Sequence, residues 1–118
     1  MVRLEDLEDL PAFDHIRRGL EDLRARRPSA SAWLCQIARP RLQQAGLWPA
    51  DLQPLPGESE LELYRLLCRT EADPYGRYNA LLRELISFEQ ILDHHLRRLH
   101  HRDTGNTIQE TTETEKPL

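Results

Sequence analysis

The fold of this chain is decided by residues 73–102, whose sequence is DPYGRYNALLRELISFEQILDHHLRRLHHR. Asp73 followed by Pro74 is a strong start signal for a helix, because aspartate caps free backbone N–H groups and proline at the first helical position loses no hydrogen bond. No proline or other helix-ending pattern follows until residues 103–105, Asp-Thr-Gly. We therefore predict one continuous helix from about Pro74 to Arg102, roughly 43 Å long at ~1.5 Å per residue.

The apolar residues of this helix lie on more than one face. Two heptad positions together form a seam. The first position is occupied by Tyr78, Leu85, Leu92 and Leu99, and the second by Leu81, Phe88 and His95. Four more apolar residues lie outside it, namely Leu82, Ile86, Ile91 and Leu96. One face is therefore expected to pack on the rest of the chain, and another is available for a partner.

The first half of the chain predicts shorter helices separated by prolines. An acidic helix is expected over residues 2–10, and a second helix has Pro11 in its first turn and ends at Pro28. The apolar stripe of the second helix is Phe13, Ile16, Leu20 and Leu23, with Gly19 weakening it slightly. A third helix starts at Ser29 or Ser31, is broken or kinked at Pro40 and ends at Gly46.

A proline-rich linker over residues 47–57 precedes a helix from about Glu58 to Thr70. Its Trp48, Leu52 and Leu55 suggest that the linker packs on the core. The apolar side predicted for the following helix consists of Leu61, Tyr64, Leu67 and Cys68, widened by Leu63.

Together these elements predict an all-α fold, an irregular bundle of four to five helices with a long C-terminal helix. Residues 1–102 are expected to form a single domain of marginal size for a stable core. Residues 103–118 are rich in Thr, Glu and Gln without periodicity, which predicts a disordered acidic tail.

Composition restricts the class of protein further. The 118 residues carry a net charge of −4, with 15 arginines and one lysine, Lys116. Residues 1–102 are almost neutral, with 16 acidic and 15 basic side chains. No apolar run or leader pattern predicts membrane insertion or export, so a cytoplasmic location is expected. Cys35 and Cys68 are expected to be buried or half-buried free thiols.

The sequence contains no motif of a known catalytic or cofactor chemistry. Phosphate-binding and dinucleotide-binding glycine patterns are absent, and no serine or cysteine has the context of a nucleophile. A metal site on His94, His101, Glu89, Asp93 or His15 is disfavoured, because no histidine occurs between residues 16 and 93 to supply ligands from further helices. We expect no enzymatic activity, no cofactor, no metal and no small-molecule substrate.

The first half of the long helix is the candidate protein-binding surface. Tyrosine and arginine near its start have the composition of binding hot spots. The residues predicted to contact a protein are Tyr75, Tyr78, Leu82, Leu85, Phe88 and Leu92.

The end of the helix is cationic. Its candidate nucleic-acid contacts are His94, Arg97, Arg98, His101 and Arg102. One interpretation is that these cations only offset the negative end of the helix dipole. Another is that they contact phosphate or an acidic protein surface.

From these features we expect a non-catalytic small helical subunit or adaptor. It would act by protein–protein contact or self-association through the long helix, within a larger assembly of bacterial or phage origin. A nucleic-acid-associated accessory subunit, of the CRISPR-effector or phage type, is the first alternative. An inhibitor, immunity or antitoxin protein is the second.

Overall fold

The computed structural model describes residues 3–108, with side chains over residues 3–98. A 3₁₀ turn at Leu4–Leu7 is followed by helices α1 (Phe13–Arg24), α2 (Ala30–Ile37), α3 (Arg39–Gln44), α4 (Ser59–Thr70) and α5 (Pro74–Ile108). No strand occurs in this range. The prediction of an irregular all-α bundle with a long C-terminal helix is confirmed. Residues 109–118, most of the predicted disordered tail, lie outside the described residues.

Local capping places several helix ends where the sequence predicts them. The Ser29 hydroxyl accepts a hydrogen bond from the Ala32 N–H at 3.1 Å, which makes Ser29 the N-cap of α2. At the start of α5, a carboxylate oxygen of Asp73 accepts from the Gly76 N–H at 3.1 Å. The break predicted at Pro40 is also present, because α2 ends before it and the short α3 contains it in its first turn.

Several helix ends differ from the prediction. The acidic helix predicted over residues 2–10 is only a 3₁₀ turn at Leu4–Leu7, and α1 ends at Arg24 rather than at Pro28. Pro11 lies in a turn rather than in α1, because Ala12 adopts a left-handed conformation (φ 63°) and the helix begins only at Phe13. The backbone of α5 continues through residues 103–105 to Ile108, beyond the predicted end at Arg102. A glycine inside a helix costs only about 1 kcal/mol relative to alanine, so the Asp-Thr-Gly sequence does not force an end.

Helix α2 is the centre of the bundle. It packs against α1 on one side and α4 on the other, and α4 in turn packs against α5. Every residue from Ser31 to Gln36 is buried. The largest fully buried core side chains are Leu7, Ile16, Leu23, Leu34, Leu42, Leu63, Leu81, Leu85, Phe88 and Leu92.

Helices α1 and α2 approach closely where Gly19 faces Ser31 and Cys35. A Cβ atom built on Gly19 would lie 2.7 Å from the Cβ of Cys35 and would overlap the backbone carbonyl of Ser31. The absence of a side chain at residue 19 is therefore what allows the two helix backbones to come this close.

The predicted apolar side of helix α4 is only partly confirmed. Leu63 and Leu67 are buried, whereas Leu61 is 45% exposed and Cys68 is exposed. The reason is that α4 lies between α2 and α5, so two neighbours together set its inner face. Cys35 is a buried free thiol as predicted, and the prediction was wrong for Cys68.

The linker between α3 and α4 packs against the core, as its apolar residues indicate. Trp48, Leu52 and Leu55 are buried. The Gln36 side chain holds the linker, since it accepts a hydrogen bond from the Leu55 N–H and donates to the Leu55 carbonyl at 3.3 Å. The Arg39 guanidinium lies 5.3 Å from the centre of the Trp48 ring, a cation–π contact.

Candidate functional site: the open face of helix α5

Helix α5 has one face in the core and one that the rest of the chain leaves open. Leu81, Leu85, Phe88 and Leu92 point into the core and are at most 1% exposed. Three residues of the predicted protein-binding surface, Leu85, Phe88 and Leu92, are therefore already covered by this chain. Their spacing of three and four residues is the same for a core face and for a binding face, so the sequence did not separate the two roles.

The open face carries the other three predicted residues. Tyr75 is 67% exposed, and Tyr78 and Leu82 are half-buried at the next turns of the helix. The ring of Tyr78 is held by Tyr64 of α4 in an edge-to-face contact with centroids 5.5 Å apart. Ile86, one turn further, is 50% exposed and was missed as a site residue. The sequence feature that could have identified Ile86 is its position outside the heptad seam.

A groove runs between this face and the helices beside it. Its first part is a cavity of about 370 Å³ lined by residues of α2, α3, α4 and α5. The apolar lining residues are Ile37, Pro40, Leu82, Leu85 and Ile86, and the charged ones are Arg41, Glu60 and Glu89. The groove therefore combines an apolar surface with carboxylates.

The charges in the groove are only partly balanced. Arg41 of α3 forms an ion pair with Asp93 of α5. Among the described side chains, neither Glu60 nor Glu89 takes part in an ion pair. Burial raises the pKa of Glu89, and the nearby Arg41 charge opposes that shift. Glu89 is thus a partly desolvated carboxylate whose cation neighbour is already engaged with another group.

The groove continues past the ion pair toward the cationic end of α5. A second cavity of about 420 Å³ is lined by Arg41, Gln44, Asp93, Leu96 and Arg97. Arg41 lines both cavities, so its ion pair with Asp93 separates them.

Three of the five predicted nucleic-acid contacts have described side chains, and their spacing of i, i+3 and i+4 places them next to one another on α5. His94, Arg97 and Arg98 are exposed, and only Arg97 borders the groove. His101 and Arg102 lie in the helical backbone of α5, but their side chains lie outside the described part of the structure. These three side chains are open to solvent, as both the dipole and the phosphate interpretations require.

A second polar cluster surrounds His15. Its Nδ1 atom lies 3.0 Å from the Ser31 hydroxyl, which links α1 to α2. Burial lowers the pKa of His15, the nearby Glu84 raises it, and Arg77 and Arg18 lower it. A cavity of about 190 Å³ beside it is lined in part by Glu8, Asp14 and Glu84. Ser31 is 5% exposed, so this contact is a buried link between helices rather than an accessible nucleophile.

Over the residues for which side chains are described, no group of three or more His, Cys, Asp or Glu residues is arranged to hold a metal ion. Within the same range, no helix is long and apolar enough to cross a membrane.

No protein-family model matches the chain, and neither the curated proteins nor the solved structures contain a significant match to it. The function proposed below consequently depends on the geometry of the site alone.

Proposed function

We propose that this protein is a non-catalytic helical subunit or adaptor that binds another protein through the open face of α5. The observation that supports the proposal is the exposure of Tyr75 and Ile86 on a face of α5 that lies next to the face building the core. Isolated exposed apolar residues are common, but here Ile86 borders a cavity together with Leu82.

The composition of the open face favours a protein as the ligand. Aromatic residues are enriched at the centres of protein interfaces, and the open face carries Tyr75 and Tyr78. Tyr78, fixed by Tyr64, provides a rigid aromatic surface whose binding costs little side-chain entropy. A groove beside a long helix is also the usual receptor for a helical segment of a partner.

Site-specific photo-crosslinking in the native host tests this function. A photoreactive amino acid replaces Ile86 in one variant and Glu21, an exposed residue of α1, in a control. We expect a specific crosslinked protein from residue 86 and none from residue 21. Ile86→Asn should abolish co-purification of that protein while leaving the helical circular dichroism signal intact. Equal crosslinking from both positions would contradict the proposal.

The second candidate function is contact with nucleic acid through the cationic end of α5. The exposure of His94, Arg97 and Arg98 supports it. Replacing Arg97 and Arg98 by glutamine should then reduce retention on a nucleic-acid column and flatten its salt dependence by about two contacts. Retention that salt does not affect would count against this function.

If the crosslinked protein from residue 86 is a toxin or a nuclease, the inhibitor, immunity or antitoxin alternative is favoured instead.

A further inference from the structure

The first part of the α5 groove has the chemistry of a receptor for a particular kind of helix. Leu82 and Ile86 lie one turn apart on its α5 side, and Ile37 and Pro40 line it from the α2–α3 junction. Such an arrangement accommodates apolar side chains that recur once per turn on a helical ligand.

The negative charge of the carboxylates beside this apolar surface is only partly balanced. Glu60 and Glu89 line the same cavity, and neither is in an ion pair among the described side chains. Burial raises the pKa of Tyr78, and the charge of Glu60 adds to that rise. Arg41 lines the same cavity and offsets part of the charge of Glu89, but its ion pair is with Asp93.

The groove is long enough for a short helix. Along the first cavity, α5 rises by about 10 Å from Leu82 to Glu89 at ~1.5 Å per residue. This length corresponds to about two turns of a ligand helix.

We infer that this groove binds a cationic amphipathic helix of a partner protein, with apolar residues on Leu82 and Ile86 and a Lys or Arg head between Glu60 and Glu89. Lysine and arginine suit this place, because their methylene stems cover apolar surface while the charged head reaches a carboxylate. The inference rests on the proposed function and adds the chemistry of the partner to it.

Charge argues against the acidic segments of this chain as occupants. Residues 109–118 contain Glu110, Glu113 and Glu115 with one lysine. Like charges placed next to Glu60 and Glu89 would oppose binding.

Binding of two designed peptides to the full chain tests the inference. The probes are fluorescently labelled, acetylated and amidated LKKLLKLLKKLLKL and its counterpart LEELLELLEELLEL, which share their leucine pattern and differ only in charge. Fluorescence anisotropy should show the lysine peptide binding about tenfold or more tighter than the glutamate peptide, since one charge-assisted contact is sufficient for a tenfold difference.

Three variants assign the binding to the groove. Ile86→Asn should weaken the lysine peptide, and Glu89→Gln should weaken it about tenfold by removing one carboxylate. Glu84→Gln removes the same charge from a different face of α5, beside His15, and should leave binding unchanged. Circular dichroism and urea unfolding show that each variant is folded.

Three outcomes would overturn the inference: equal affinity for both peptides, equal effects of Glu84→Gln and Glu89→Gln, or self-association of the chain that Ile86→Asn abolishes. The failure of the inference is distinguishable from that of the proposed function. If neither peptide binds and residue 86 still crosslinks to a host protein, the cationic helix is refuted and the adaptor function stands.

Discussion

Replacing Gly19 by alanine tests the close contact between α1 and α2. Gly19 lies inside α1, where alanine is favoured over glycine by about 1 kcal/mol of helix propensity. From the sequence alone, Gly19→Ala should therefore stabilise the protein. In the structure the new methyl group would lie 2.7 Å from the Cβ of Cys35 and against the backbone carbonyl of Ser31.

The packing cost should exceed the propensity gain. Inserting a methyl group into a tightly packed contact costs about 1–3 kcal/mol, and the upper part of that range applies here because a backbone carbonyl cannot move aside by changing rotamer. Subtracting the helix gain leaves a net loss of roughly 1–2 kcal/mol in the free energy of unfolding. Gly19→Ser should cost more, since its side chain is larger.

Urea unfolding followed by circular dichroism measures this loss as a lower midpoint with an unchanged slope. Arg18→Ala is the matched control, because Arg18 is exposed on the same helix and arginine resembles alanine in helix propensity, so a change within about 0.5 kcal/mol is expected. A midpoint for Gly19→Ala at or above that of the wild type would refute the close contact.

Three further predictions follow from the core, the linker and His15. Phe88→Ala should lower the free energy of unfolding by about 3–5 kcal/mol, whereas Ile86→Ala on the open face should lower it by about 1 kcal/mol or less; similar losses in urea unfolding would contradict the assignment of the two faces. Gln36→Leu should lower the free energy of unfolding by about 1–3 kcal/mol for each backbone group of Leu55 that it leaves without a hydrogen-bond partner. Hydrogen exchange at the Leu55 amide should also become faster. Because the pKa of His15 is lowered in the folded protein, His15 binds a proton more readily in the unfolded chain than in the folded one. The contribution of His15 to the free energy of unfolding is therefore constant above about pH 6.5 and falls as the pH decreases from 6.5 toward the folded pKa. His15→Gln should remove this part of the pH dependence. Urea unfolding at a series of pH values measures it.

The starts of the helices could be predicted because their signals are local. Asp73 and Ser29 each cap a helix through a hydrogen bond to an N–H three residues away, and Pro40 acts on the turn that precedes it. These interactions depend on neighbouring residues only. The start of α1 was misplaced because the left-handed Ala12 has no comparable signal in the sequence.

The candidate site was predictable only in part. The sequence predicted α5 as the interacting helix, and three of the residues it predicted there, Tyr75, Tyr78 and Leu82, lie on the open face. The contributions of Ile37 and Glu60 to the groove could not be predicted, because these residues are distant in sequence and meet α5 only through the packing of the bundle. Contact between the cationic end of α5 and phosphate stays a prediction.

What the sequence by itself determined is that this protein is helical and has a long last helix with more apolar surface than one face requires. Spacing and caps are sufficient for that, since helical periodicity and end signals are properties of adjacent residues. Only the tertiary structure decided that Phe88 faces the core and Ile86 faces the solvent. It also decided that Gly19 allows close contact between α1 and α2, whereas helix propensity alone makes Gly19 a destabilising residue. The physical reason is that burial and steric contact depend on what lies across from a residue, and no pattern within one helix contains that information.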